Sequence, residues 1–318
     1  MPSGKRATQN GMQQVSASTK WRVVGVLALA AVFLGVGLGY ETAAERVAPR
    51  ESKPASAPQL GASYLKALPR PRNARSSAPA PTKGLHLVFD ATFAGNHLNR
   101  AIWDTCYPWE LQQNGCTNFG NPQEVEWYLP TRISVNDGAL HLIATHTPTN
   151  GLTVSGAPKI YSYRSGMVTT YPSLDFTYGY LQIVARVPAG PDLWPALWLH
   201  PASDQPTPEV DILESGADPR GMLIAYHPPT GTVFMHTFTT ANLTIGWHSF
   251  AIDWTPQSLT WYVDGTLEAS VTTHVPSVPM YLIADLAVNN FAKQCSGEVV
   301  PSTCTGSMAI RSIKLWQR

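Results

Sequence analysis

The sequence predicts an all-β chain whose main domain is a two-sheet antiparallel sandwich, and three observations carry that expectation. Short runs rich in aromatic and β-branched residues recur along the second two-thirds of the chain. No long amphipathic helical pattern separates them. Asp-Gly pairs stand between strand-like runs in "VNDG" at Val135–Gly138 and "VDGT" at Val263–Thr266, the pattern of tight hairpins. The runs, in order, are "LHLVFDATF", "ALHLIATH", "RSGMVTTY", "YGYLQIVARV", "ALWLHP", "EVDILES", "TVFMHTFTT", "HSFAIDWT", "LTWYVDG", "MYLIADLAVN" and "MAIRSIKLWQ".

Ahead of this domain the chain has a different character. From Val23 to Tyr40, "VVGVLALAAVFLGVGLGY" gives 18 residues without a charge, preceded by Lys5, Arg6, Lys20 and Arg22. That pattern predicts a transmembrane helix over 23–40, a basic cytoplasmic tail over 1–22, and export of everything beyond. Cleavage near Ala44, after a signal peptide, is the alternative and would release the protein. Residues 41–83 mix Pro, Ala, Ser and basic residues with no apolar period, as a disordered linker does, and the domain is expected over 84–318. Oligomeric state is not legible here.

Composition excludes some partners. Of 318 residues, 44% are hydrophobic and 14% charged, with a net charge of +1, so the chain can bury a core and is not a nucleic-acid binder. All four cysteines, Cys106, Cys116, Cys295 and Cys304, fall in the exported part. Three pairings are possible, and proximity favours Cys106 with Cys116 and Cys295 with Cys304, each worth roughly 2–3 kcal/mol if unstrained. Zinc-ligand spacing is absent.

The segment "TPEVDILESG" places Glu209, Asp211 and Glu214 within six residues. On a regular strand Glu209 and Asp211 share a face and Glu214 takes the other. One extra residue inserted as a β-bulge returns Glu214 to the face of the first two and turns Val210 and one of Ile212 and Leu213 into the core. Two carboxylates roughly 5–5.5 Å apart across an anomeric carbon are what a retaining glycosidase needs. Taken alone, acids on a strand face more commonly mark a solvated edge. Just upstream, "DLWPALWLH" sets Trp194 and Trp198 on one face, where rings can stack on sugars or fill a core.

The ordered blocks "YRSGMVTTYPSLDFTYGYLQIVARVPAGPDLWPALWLHP", "EVDILES", "GWHSFAIDWTPQSLTWYVDG", "PMYLIADLAVN" and "MAIRSIKLWQ" resemble glycoside hydrolase family 16, in its laminarinase and exopolysaccharide-depolymerase branch with the bulged ExDxxE motif. The resemblance implies a concanavalin A-like β-jelly roll with a concave substrate cleft and endo-acting, retaining hydrolysis of a β-linked polysaccharide, β-1,3-glucan or a bacterial exopolysaccharide. It implies Glu209 as nucleophile, Asp211 as assisting acid and Glu214 as acid/base. It also nominates Trp127, Tyr128, Arg164, Trp194, Trp198, His236, Asp285 and Asn289 for substrate binding. Thr92 and Arg311 stand where the family often has acidic ligands for a structural calcium, so no metal or other cofactor is expected. A transglycosylase using the same residues and a non-catalytic carbohydrate-binding envelope protein are the alternatives.

Overall fold

The structure, a computed structural model, describes residues 84–109, 115–117, 123–153, 155–203, 205–290, 294–295 and 301–318. The expected tail, span and linker over 1–83 lie outside the described residues. Among those described, no helix is long and apolar enough to cross a membrane.

The strands are β1 (His86–Thr92), β2 (Glu126–Tyr128), β3 (Ile133–Asn136), β4 (Ala139–Leu152), β5 (Pro158–Ser165), β6 (Met167–Thr169), β7 (Gly179–Arg186) and β8 (Leu193–Pro201). They continue as β9 (Glu209–Glu214), β10 (Gly221–His227), β11 (Phe234–Thr239), β12 (His248–Trp254), β13 (Leu259–Val263), β14 (Thr266–Val271), β15 (Met280–Val288) and β16 (Gly306–Gln317). Among the described residues they form two sheets. The larger runs β14-β13-β12-β7-β16-β4-β5-β2, with β1 beside β16 and β3 beside β4; the smaller runs β11-β10-β9-β8-β15-β6. Pairing is antiparallel except between β2 and β5, which are parallel, a local departure from the expected antiparallel sandwich.

Side-chain alternation explains how the two sheets meet. In β12, Phe250, Ile252 and Trp254 point into the core, as do Leu181 and Ile183 of β7 and Leu197 and Leu199 of β8. Each such side chain contributes about 1.5–3 kcal/mol by leaving water. Both predicted hairpins are present. Asp137–Gly138 and Asp264–Gly265 have positive φ at both positions (52° and 70°, 50° and 78°), the conformation that joins β3 to β4 and β13 to β14 in two-residue turns.

The bulge in β9 is present as well. On one side Asp211 pairs with Ala225 and Glu214 with Leu223, so Ile224 alone opposes both Ile212 and Leu213. On the other side Leu197 pairs with Leu213 and Trp198 with Asp211. Val210, Ile212 and Leu213 all join the core, where one of the latter two had been expected to turn inward. Trp261, from β13 in the opposite sheet, donates its indole N–H to the Asp211 carbonyl at 2.9 Å, and the Phe234 ring stacks on it. A core side chain thus ties down the irregular stretch of backbone that places the acids.

Both disulfides form between the sequence neighbours, Cys106 with Cys116 and Cys295 with Cys304. Next to the second, Asp192 adopts a left-handed φ of 62° and accepts the Gln294 and Cys295 amides at 3.0 Å, fastening this segment to the head of β8.

Candidate active site

The exposed face of the smaller sheet is defined by register. Glu209 stands opposite His227, Asp211 beside Ala225 and Trp198, and Glu214 beside Leu223 and Ala196. The bulge therefore puts the three carboxylates on one face. Ala196 stands between Glu214 and Asp285 in this row, since it pairs with Glu214 on one side and with Asp285 on the other.

Each carboxylate meets a different partner. Trp194 donates its indole N–H to Glu214 Oε1 at 2.9 Å. His227 Nε2 lies 3.2 Å from Asp211 Oδ2 and 3.6 Å from Glu209 Oε1. Trp198 donates to Asp285 Oδ2 at 2.8 Å, and the Tyr107 hydroxyl reaches the same oxygen at 3.5 Å.

These surroundings raise both glutamates and give each a different neighbour. Burial pushes the Glu214 carboxyl well above the ordinary range, and the charges of Asp211 and Glu209 push the same way against the Trp194 hydrogen bond. Glu209 keeps 28% of its side chain exposed. Burial and Asp211 raise it too, to about 8, even with His227 opposing them. Burial disfavours the charged form of His227, yet the close Asp211 carboxylate and the charge of Glu209 prevail and lift it to about 9. Asp285 is lifted by burial to about 7, against the Trp198 hydrogen bond. His200 is pushed down by burial to about 4 and is neutral.

One end of the face is roofed. Tyr107 and Trp109 stack at 4.8 Å, Trp109 lies 4.6 Å from the His200 ring, and this chain segment is pinned by the Cys106–Cys116 bridge. Beneath it Met167, Trp198, Tyr281 and Ile283 form a second apolar cluster. That explains why all nine residues of β15 are buried: one face meets the core and the other meets this roof. At the β11 edge there is no such cover among the described residues, where Met235 stays partly exposed and Thr237 fully so, and His227 at the end of β10 is partly exposed.

Several expected binding residues sit elsewhere. Trp127 is buried, with Gly115 and Gly151 pressed so close to its ring that an added Cβ would fall within 2.2 and 2.7 Å, and Tyr161 at 5.1 Å; it is a packing residue rather than a sugar platform. Tyr128 is fully buried beside Tyr107 in the cluster around Asp285. Arg164 belongs to β5 in the larger sheet and donates to the Pro148 carbonyl. His236 pairs with Ile224, a core residue, so it faces the other sheet and stacks on Phe238; Met235, opposite Ala225, takes the cleft position. Trp198 is on the expected face but forms its floor, 8% exposed, whereas Trp194 is half-buried at the edge of the cluster. Asp285 lies in the same row, and Asn289 follows β15 with its amide bonded to the Asp192 carbonyl.

His227 is the group that sequence reasoning missed. Its strand, "GMLIAYH", is a nearly continuous apolar run with no period-2 signal, so the strand went unread and its last residue with it. Glu209, Asp211 and His227 each bring a ligand-type atom within 4.8 Å of the others. His227 Nε2 and Asp211 Oδ2 lie within ion-pair distance but neither makes a hydrogen bond, so the trio is a contact between an imidazole and two carboxylates. On the opposite face, Arg311 lays its guanidinium 4.4 Å over the Trp247 ring.

Fold and site together define a two-sheet β-jelly-roll domain bearing two glutamates and an aspartate on one face of a bulged strand. The chain belongs to the glycosyl hydrolases family 16, whose family model matches residues 122–297. A second family model, beta-glucan synthesis-associated protein SKN1/KRE6/Sbg1, matches residues 10–207 and stops short of Glu209. The chain is 34% identical over 212 residues to endo-1,3-1,4-beta-glycanase EglC of Rhizobium meliloti (strain 1021), covering 60% of this chain and 43% of the relative. It is 32% identical over 207 residues to endo-1,3-1,4-beta-glycanase ExsH of the same organism, again 60% and 43%. It therefore spans less than half the length of these curated relatives. Among solved structures, the catalytic domain of an endo-1,3-beta-glucanase (laminarinase) from Thermotoga petrophila RKU-1 superposes with a TM-score of 0.63 at 25% identity, covering 73% of this chain and 98% of that one.

Proposed function

We propose that the protein is an endo-acting, retaining hydrolase of β-linked glucan, with β-1,3 linkages or a related bacterial exopolysaccharide as substrate. The observation that carries this reading is the bulge that sets Glu209 and Glu214 on one face with unlike partners, a histidine beside the first and an indole donor beside the second. In the first step Glu209 attacks the anomeric carbon, forming a glycosyl ester as the bond to the leaving oxygen breaks, and Glu214 gives that oxygen its proton. In the second step Glu214 takes a proton from water, the resulting hydroxide attacks the same carbon, and Glu209 leaves as a carboxylate. Asp211, with the His227 imidazole 3.2 Å away, lies between the two glutamates in sequence and supplies charge that favours a protonated Glu214.

The apolar run over 23–40 supports an anchored enzyme with its catalytic domain outside the cytoplasm, either periplasmic or extracellular. One experiment tests both parts. The full chain is expressed, membranes and soluble fractions are separated, and release of reducing ends is followed on laminarin, mixed-linkage glucan and an acidic exopolysaccharide. Activity on one of these polymers that sediments with membranes is expected. Activity wholly in the soluble fraction sinks the anchor, and binding without release of ends sinks the hydrolase.

A further inference from the structure

We propose that the cavity beside the β10–β11 hairpin is a distal subsite for the substrate chain, taking one neutral sugar residue of a glucan whose scissile bond lies over Glu209 and Glu214. This rests on the glucan reading above and extends it beyond the carboxylates.

Tyr226 of β10 and Phe234 of β11 line the inner part of this cavity, and Thr232, Thr272, Thr273 and His274 line its rim, around a volume of about 290 Å³. Small-molecule sites run from roughly 300 to 1,000 Å³, so this one suits a single sugar residue. Two contacts hold its walls together. The Tyr226 hydroxyl donates to the His274 carbonyl, and Gly231, at a φ of 102°, approaches the His274 ring so closely that an added Cβ would lie 3.4 Å from it. The hairpin and the segment after β14 are thereby fastened to each other on either side of the cavity.

The lining names the ligand class. None of the lining residues carries a carboxylate, an ammonium or a guanidinium, which leaves an ionic ligand without a counter-charge. Phe234 is partly exposed, with one side of its ring stacked on Trp261, and the threonine hydroxyls around it can each donate or accept. An aromatic ring ringed by hydroxyls matches a pyranose, whose C–H faces are apolar and whose edge carries hydroxyls. Position links the cavity to the carboxylates. Glu209 pairs with His227, the last residue of β10, and the cavity is lined by the residues on either side of it, Tyr226 and Pro228. β11 is two strands from β9, about 10 Å at the usual ~4.8 Å spacing, and its edge of the sheet is the one without a cover among the described residues. Tyr226 and its partner Phe234 point to the inter-sheet side, so the cavity opens round that edge. A long glucan turning over the edge reaches it, whereas a disaccharide held at the carboxylates stops short.

The test uses the full chain in detergent solution, with soluble laminarin and an aryl β-laminaribioside as long and short substrates. Thr272→Phe fills the cavity, and His274→Gly removes the imidazole while suiting the positive φ of 54° at that position. Phe234 is left in place because it supports Trp261, which holds the Asp211 carbonyl. Each variant should raise KM on laminarin by about fivefold or more, the scale of a lost hydrogen bond, with kcat within about twofold and both parameters on the laminaribioside unchanged. Equal losses on both substrates are what damage to the fold gives and overturn the proposal, as does an unchanged KM on laminarin. Binding without turnover separates this proposal from the reading beneath it. In the Glu209→Gln chain, calorimetry should show laminarin bound more tightly than laminaribiose, and Thr272→Phe should remove about fivefold or more of the affinity for laminarin alone. Laminarin binding that Thr272→Phe leaves intact overturns the distal subsite, and a Thr272→Phe loss confined to an acidic polysaccharide overturns its assignment to a neutral sugar. A Glu209→Gln chain that binds no glucan overturns the glucan reading first, and this one with it.

Discussion

Replacing Glu209 with glutamine is expected to lower glucan turnover by about 10⁴-fold or more, the scale on which enzymes lose activity when a covalent nucleophile is removed. The amide keeps the shape but cannot form the glycosyl ester. It also removes a negative charge next to Asp211, so the variant should melt no lower than the wild type and should still bind substrate. Reducing-end release and thermal melting measured side by side separate the two effects. A Glu209→Gln chain that retains half its activity contradicts the nucleophile assignment. The wild-type rate should trace a bell against pH. Activity rises as Glu209 ionises, on a limb that burial and Asp211 push upward and His227 restrains. It falls as Glu214 loses its proton, on a limb pushed well above the ordinary carboxylate range by burial and by the neighbouring charges. The groups interact closely, so the two limbs belong to the cluster rather than to single residues.

Replacing Glu214 with glutamine is expected to act differently on the two steps. On polymer, where the leaving sugar needs a proton, turnover should drop by about 10²–10⁴-fold, the usual worth of a general acid. On an aryl β-glycoside with a dinitrophenolate leaving group, the first step should stay near the wild-type rate, because that group departs without a proton. The second step then lacks its base, and a burst of phenolate followed by a slow phase is expected. Added azide, which needs no base, should restore turnover and yield a β-glycosyl azide. Equal losses on both substrates, with no azide effect, would remove Glu214 from the acid/base role. Trp194 enters here too, since its N–H holds the Oε1 atom of Glu214 in place.

How much of this was legible in the sequence follows from what each signal encodes. The Asp-Gly hairpins and the β9 bulge could be read because they are local: two positive φ values demand particular residues, and an odd spacing of acids demands one extra residue. The disulfide partners were legible by proximity for the same reason. β10 was not, because both of its faces are largely covered and its apolar run shows no alternation. The same loss of alternation affects β15, where burial on both faces comes from the segment carrying Tyr107 and Trp109, a tertiary contact with no local signature. His236 and Met235 differ by one position, and only the register against β10 decides which faces the carboxylates. Trp127 reads as a sugar platform by residue type, but two glycines far apart in sequence close over its ring.

The most direct measurement of the central claim is the anomeric configuration of the first sugar released from a soluble β-glucan, followed by proton NMR in the first minutes of reaction. The account predicts that the β-anomer forms first and that the α-anomer grows in only by mutarotation, since two displacements at one carbon restore its configuration. An α-anomer formed first would mean a single displacement by water, and would contradict the assignment of Glu209 as a covalent nucleophile.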